Sequence, residues 1–188
     1  MEKYLKNSNN FKLIAEIGWN HMGSLEIAEK MIKAASNSGC THAKFQNWSV
    51  EKLKAGPWDN DGRREIYEKA ELTKEKTSKL FDLCDENNII FLTSIFDESE
   101  IEFISTLSKE NIKIPSPELR NETLIKNCDK KFKEIILSTG ASTIDEIKKS
   151  SLLINSANLI LLNCVSIYPC PDDKINLNRI NKLKKISD

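Results

Sequence analysis

Leu13-Ile14-Ala15-Glu16-Ile17-Gly18 is an apolar run broken by one carboxylate, of strand length and closed by a glycine. Beyond it Ser24 stands where a helix would be capped. Leu25, Ala28, Ile32 and Ala35 then recur at helical spacing until Gly39 ends the pattern. Residues 41–45 return to an apolar run of strand length. Strand, helix and strand within about 30 residues make a βαβ unit, whose strands pair in parallel through a right-handed crossover.

The same alternation continues along the chain. Gly56-Pro57-Trp58-Asp59-Asn60-Asp61-Gly62 reads as a polar surface loop, and residues 72–86 as a helix with Leu80, Leu83 and Cys84 on one face. Further strands are expected at 89–93, 112–115, 134–138 and 159–164. The helices between them fall at 98–107, around 123–128, from a Thr143 cap through Ile147, and at 177–186. Such a series builds either an open doubly wound sheet or a (β/α) barrel. No Gly-x-Gly-x-x-Gly follows the first strand, which counts against a dinucleotide-binding sheet. A full eight-unit barrel takes about 250 residues. The α/β reading is therefore a TIM-type (β/α)8 barrel, truncated after about six βα units.

With 28 basic and 28 acidic residues the formal net charge is zero, and no polybasic run is present. That argues against nucleic acid or an anionic membrane as the partner. The longest apolar runs are four residues, such as Leu159-Ile160-Leu161-Leu162, against about 20 for a membrane span. Met1-Glu2-Lys3-Tyr4-Leu5-Lys6 has no apolar core for a signal peptide. The five cysteines (40, 84, 128, 164, 170) are odd in number and form no CxxC spacing. They read as reduced thiols packed as small apolar residues in a cytoplasmic protein.

In such a barrel the chemistry sits at the C-terminal ends of the strands. Those positions hold Glu16 and then Trp19-Asn20-His21, followed by Lys44 and Gln46, and by Thr93 and Ser94 with Asp97 beyond. Next come Lys113, Ser116 and Glu118, then Ser138 and Thr139, then Ser166 and Tyr168. Lys44 and Lys113 stand inside apolar runs, where a lysine is costly to bury unless an anion receives it. One such lysine can snorkel to solvent. Two at equivalent strand ends, among hydroxyls, suit a phosphate or carboxylate. His42 reads as a core histidine on the face of Lys44, and His21 as structural in a loop. Lys182, Lys184 and Lys185 read as a solvated helix face.

Ile14-Ala15-Glu16-Ile17-Gly18-Trp19-Asn20-His21-Met22-Gly23 resembles the opening motif of the sialic acid (N-acetylneuraminate) synthase family. Lys44-Phe45-Gln46, Lys113-Ile114-Pro115-Ser116, Leu137-Ser138-Thr139-Gly140 and Cys164-Val165-Ser166-Ile167-Tyr168-Pro169 match it in order and spacing. Thr93-Ser94-Ile95-Phe96-Asp97 resembles a sixth motif, with Ile95 in place of the usual proline. The resemblance covers roughly residues 11 to 180.

The resemblance implies condensation of phosphoenolpyruvate with an N-acetylated aminohexose, either N-acetylmannosamine or a diacetamido analogue. The products would be a nonulosonic, sialic-type acid and phosphate. Carried over by motif, Lys44, Ser94, Lys113, Ser116, Ser138 and Ser166 would hold phosphoenolpyruvate. Glu16, Gln46, Asn60, Glu118 and Tyr168 would face the sugar, with Glu16, Lys44 and Lys113 as the catalytic set. The family also implies a divalent metal, Mn2+ or Mg2+, polarising the sugar aldehyde. Its two histidine motifs have no counterpart before Asp188, so no metal ligand is expected in this chain. A C-terminal antifreeze-like domain, which completes the partner's site in a homodimer, likewise has no counterpart. Residues 1–188 thus read as the N-terminal portion of a synthase barrel. Two rivals stand beside this reading: a related phosphoenolpyruvate-condensing enzyme making an eight-carbon keto sugar acid, and a degenerate, non-catalytic barrel fragment.

Overall fold

The computed structural model describes residues 11–53 and 55–187. The signal-peptide expectation for residues 1–6 lies outside them. Two compact units divide the chain, the first ending at Thr93 and the second beginning at Ser94. Among the described residues no helix is long and apolar enough to cross a membrane.

The first unit contains β1 (Ile14–Gly18), α1 (Leu25–Asn37), β2 (His42–Asn47), α2 (Arg63–Ala70) and α3 (Lys74–Glu86), with β3 (Ile90–Ile95) running across the unit boundary. Ser24 caps α1 by accepting the Ile27 N–H at 3.3 Å, and Ala28, Ile32 and Ala35 are buried as their spacing predicts. Thr73 caps α3 through the Lys76 N–H. Ala28, Ile32, Ala43, Phe45, Leu80, Leu83 and Phe91 form one apolar core. Because Ala43 and Phe45 face that core, alternation turns His42, Lys44 and Gln46 to the opposite face of β2. A buried polar chain ties strands to helix: the Thr93 hydroxyl donates to Asn47 Oδ1 at 2.7 Å, and Asn47 Nδ2 donates to Thr77 Oγ1 at 2.9 Å.

Helix α2 lies between the loop expected at 56–62 and the helix expected at 72–86, in a stretch to which the sequence reading assigns no element. Its sequence, Arg-Arg-Glu-Ile-Tyr-Glu-Lys-Ala, buries only Ala70, and its N-cap Gly62 offers no side-chain cap. Neither periodicity nor capping announces it. Packing holds it instead. Tyr67 meets the rings of Trp19, Trp48 and Trp58 with centroids 6.2, 5.8 and 5.6 Å away. Arg64 lies over Trp58 and pairs with Asp59 and Glu68.

The second unit carries the end of β3, then α4 (Ser99–Leu107), β4 (Asn111–Ile114), α5 (Glu122–Asp129), β5 (Glu134–Ser138), α6 (Ile144–Ser151), β6 (Asn158–Leu162) and α7 (Arg179–Ser187). Its core gathers Ile95, Ile112, Ile114, Ile135, Leu137 and Ile147 with Leu183 of α7. Thr143 and Glu146 form a capping box on α6. Asp129 accepts the N–H groups of Asn155, Ser156 and Ala157 at 3.1, 2.9 and 2.8 Å, fixing the turn into β6. Burial opposes its charge, yet those three donors carry its carboxyl below the usual range. Strand β6 stops at Leu162, two residues short of the expected end, because residues 163–166 leave the ladder.

The six strands form one sheet in the order β1-β2-β3-β4-β5-β6. The β1–β2, β3–β4, β4–β5 and β5–β6 pairs are parallel. Chain order equals sheet order, with no reversal. A doubly wound sheet reverses at a switch point; a singly wound series is the wiring of a (β/α) barrel.

Candidate active-site residues at the strand ends

In the first unit β1 pairs with β2 so that Glu16 lies opposite Lys44, after which the register slips and Gly18 faces Phe45. Adjacent strands are about 4.8 Å apart, so opposed side chains on one face meet. Lys44 Nζ lies 2.8 Å from Glu16 Oε1. The lysine is 1% exposed, while the Glu16 side chain is 56% exposed. Gly18 takes a left-handed φ of +58°, and a Cβ there would lie 3.2 Å from Glu16 Oε1 and 3.6 Å from Gln46 Nε2. Glu16, Lys44 and Gln46 are therefore brought together over a backbone that requires glycine. Chemically this is a buried cation orienting an accessible carboxylate, which can accept hydroxyl or amide donors.

His21 is 1% exposed and packs against the Phe45 ring. Its Nδ1 accepts the Gly23 N–H at 3.0 Å, which places the proton of the neutral ring on Nε2. Burial, and then the charge of Lys76, push its pKa down. It braces the turn after β1, as the structural reading expected. His42 is likewise buried. Asn60 is exposed in the turn before α2; the first unit does not join it to Glu16 and Lys44 by any hydrogen bond among the described residues.

In the second unit the core-facing residues are Ile95, Ile112, Ile114, Ile135 and Leu137. Alternation therefore sends Ser94, Lys113 and Ser138 to the opposite face. Ser94 is the register partner of Lys113, and both Ser94 and Ser138 are nearly fully buried. The Ser138 hydroxyl has no hydrogen-bond partner. Lys113 is partly buried and, among the described residues, forms no ion pair or hydrogen bond. Such groups are costly unless a ligand meets them.

The turn after β5 continues the cluster. The Gly140 N–H donates to Ser116 Oγ at 3.0 Å. A Cβ on Gly140 would lie 2.5 Å from Ser166 Oγ and 2.9 Å from Ser116 Oγ, so the glycine is required by space rather than by its φ. Ser116 and Ser166 thus flank Gly140, two residues beyond Ser138. Glu118 is partly exposed and accepts from Asn121 Nδ2 at 2.9 Å, while Tyr168 is 92% exposed. Neither is hydrogen-bonded to the serines.

Arg179, at the start of α7, went unremarked in the sequence. Its Nη2 donates to the carbonyls of Thr139 and Ser142 at 2.9 and 2.8 Å, and its Nη1 to Thr139 Oγ1 at 3.1 Å and Asn163 Oδ1 at 3.5 Å. The available signal was its residue type. It is one of four arginines in a chain that otherwise uses lysine, and a planar fork serves two carbonyls where an ammonium does not.

Among the described residues no group of three His, Cys, Asp or Glu side chains is placed to hold a metal ion. The donor set among the described residues does not fit the divalent ion that the resemblance implies. All five cysteines are free. Burial pushes the Cys84 and Cys128 thiols up to about 12, so both are inert neutral packing groups.

Residues 31–188 match the model of the NeuB family. The chain belongs to the NeuB family. It is 32% identical to the N,N'-diacetyllegionaminic acid synthase of Campylobacter jejuni, over 92% of this chain and 56% of that one. To a pseudaminic acid synthase from the same species it is 33% identical, over 92% of this chain and 54% of the relative. The crystal structure of N-acetylneuraminic acid synthetase from Leptospira borgpetersenii, in complex with citrate, superposes with a TM-score of 0.83 at 29% identity. That match covers 92% of this chain and 60% of the other. This NeuB chain spans about half the length of the curated relatives it matches.

Proposed function

We propose that this NeuB-family chain supplies the phosphoenolpyruvate-binding strand ends of a synthase that condenses phosphoenolpyruvate with an N-acetylated amino sugar. The observation that carries the reading is Lys113, lying without a partner beside Ser94 on the face that also holds the unsatisfied Ser138 hydroxyl. Phosphoenolpyruvate brings a carboxylate and a phosphate, and a cation ringed by hydroxyls neutralises and orients both. Ser116 and Ser166 extend the same donor set around Gly140. Glu16, held by Lys44, takes the complementary part. It accepts from sugar hydroxyls or the N-acyl amide, with Gln46 beside it and Asn60, Glu118 and Tyr168 as further sugar-facing groups.

In the reaction C3 of phosphoenolpyruvate forms a bond to the aldehyde carbon of the open-chain sugar. Water adds at C2, the bond from C2 to the phosphate oxygen breaks, and inorganic phosphate leaves. The work of these residues is positioning and charge neutralisation, because the enol phosphate is itself the carbon nucleophile. The names of the relatives, legionaminic and pseudaminic acid synthases, support a nonulosonic acid product. The test is to incubate the intact protein with phosphoenolpyruvate, a divalent ion and either N-acetylmannosamine or a diacetamido hexose. Phosphate release that requires one of these sugars, together with a nine-carbon keto acid by mass, is the expected result. Phosphate release that no amino sugar stimulates would overturn it.

A further inference from the structure

Resting on that reading, we propose that Arg179 is the positioning residue of the anion-binding hydroxyls, fixing the turn after β5 on which their spacing depends. Its donors reach two backbone carbonyls and one hydroxyl of the segment from Thr139 to Ser142, and the amide oxygen of Asn163 just after β6. Thr139 in turn donates its hydroxyl to the Leu162 carbonyl at 2.7 Å. The guanidinium therefore locks the end of β5 to the end of β6 and to the start of α7.

What that lock controls is the position of three hydroxyls. Ser138 immediately precedes the clamped residues. Gly140, inside the clamp, donates its N–H to Ser116 and leaves no room for a methyl group against Ser166. A displacement of the turn would therefore alter the Ser116 contact and the spacing between Gly140 and Ser166 together. Moreover, none of the partners of Arg179 is a carboxylate, so its charge is not cancelled locally and adds positive potential at the turn. Both features serve an anion and neither serves a neutral sugar.

The test compares Arg179→Gln and Arg179→Lys with the intact wild-type protein, reading thermal shifts with phosphoenolpyruvate and the Michaelis constants of both substrates. Arg179→Gln should raise the KM for phosphoenolpyruvate by about tenfold or more, and that for N-acetylmannosamine by no more than about twofold. Arg179→Lys keeps the charge but not the fork, and should recover little of the loss. Equal increases in both constants, or full recovery by lysine, would overturn the positioning role. Should Arg179→Gln fail to fold, Thr139→Val removes the hydroxyl that accepts from Arg179 and donates to the Leu162 carbonyl while leaving the two carbonyl contacts of Arg179, and should raise the phosphoenolpyruvate constant alone by a smaller factor; an unchanged constant there overturns the proposal as well. A wild-type protein whose melting temperature does not respond to phosphoenolpyruvate refutes the reading of the site, and this role with it. A response that persists in Arg179→Gln refutes only the role of Arg179.

Discussion

Lys44 of the first unit and Lys113 of the second hold the same place in the strand pattern. Each lies between two apolar neighbours that pack against helices, and each is turned to the other face. Their surroundings differ. Lys44 is 1% exposed and lies 2.8 Å from Glu16, so the protein itself answers its charge. Lys113 is partly buried beside Ser94 and forms no ion pair among the described residues. The cause is the register of each strand's neighbour. β1 places a carboxylate opposite Lys44, whereas β3 and β5 place Ser94 and Ile136 opposite Lys113. A strand lysine is thus a demand for an anion, and the adjacent strand decides whether the fold or a ligand meets it.

The sharpest way to break this contrast is Lys113→Ala. If a ligand anion answers Lys113, its loss should cost about two to three decades in turnover, in line with removing one charged contact to a desolvated anion. Stability should hardly change, because Lys113 makes no contact that the fold needs. Steady-state kinetics with a parallel melting curve measure both, and near-wild-type turnover would put Lys113 in the same class as Lys44. Gly140→Ala should come next. Its backbone φ tolerates alanine, but the new Cβ would press on Ser166 and Ser116 at 2.5 and 2.9 Å. The expected cost is about 1–3 kcal/mol of stability, typical of overpacking, with a higher KM for phosphoenolpyruvate. A variant of unchanged midpoint in urea would show the serines rotating away freely.

The ion pair of the first unit predicts an asymmetry of smaller size. Glu16→Gln leaves Lys44 buried with a neutral partner and should cost about 1–2 kcal/mol, less than for a fully buried pair because Glu16 is half exposed. Lys44→Met should cost less, since it fills the same volume and releases a carboxylate that water can reach. The double variant should then resemble Lys44→Met alone. Urea midpoints of the three decide the matter, and equal losses in the two single variants would contradict a lysine held in place by its neighbour. Kinetically, Glu16→Gln should raise the KM for the amino sugar far more than that for phosphoenolpyruvate.

The two lysines were legible because a cation in an apolar run is conspicuous, and so were the strands, short mainly apolar stretches between amphipathic helices. Strand β5 runs over the residues its sequence predicts, bounded by polar turns on both sides. What escaped has a physical cause in each case. Helix α2 has no apolar stripe and is held through Tyr67 by the nearby Trp58 and by Trp19 and Trp48 from farther back in the chain. The Glu16–Lys44 pair depends on register, which the two strand sequences do not reveal when both run apolar on both sides. Arg179 acts on residues some 40 positions earlier, through backbone carbonyls that carry no side-chain signature. The sequence offers Thr93 and Ser94 together at the end of β3, and only the packing separates them: Ser94 is the register partner of Lys113, whereas the Thr93 hydroxyl donates to Asn47, which in turn donates to Thr77.

The smallest effect concerns acid. In the first unit His21 is neutral when folded, with its pKa pushed below 6.5 by burial and then by Lys76. Between 6.5 and that lowered value the unfolded chain binds the extra proton, so stability falls as pH falls through the window and levels off beneath it. A single proton changes stability by no more than about 1.4 kcal/mol per pH unit. In the second unit the Glu146 carboxyl is held at about 2, against 4.5, by the Thr143 N–H, by Arg120 and by the Thr143 hydroxyl. Its contribution is present above 4.5 and is lost as pH falls toward 2. The units should therefore loosen in different ranges. All three tryptophans (19, 48, 58) lie in the first unit, so their fluorescence reports it alone. Fluorescence-detected urea midpoints should begin to decline below pH 6.5, and amide exchange in α6 should stay slow until below pH 4.5. His21→Gln should flatten the first decline, which also separates His21 from the second histidine, His42. A midpoint that stays level from pH 7 to 5 in the wild type would mean that His21 is protonated at no cost, and that the turn after β1 is less closed than its burial shows.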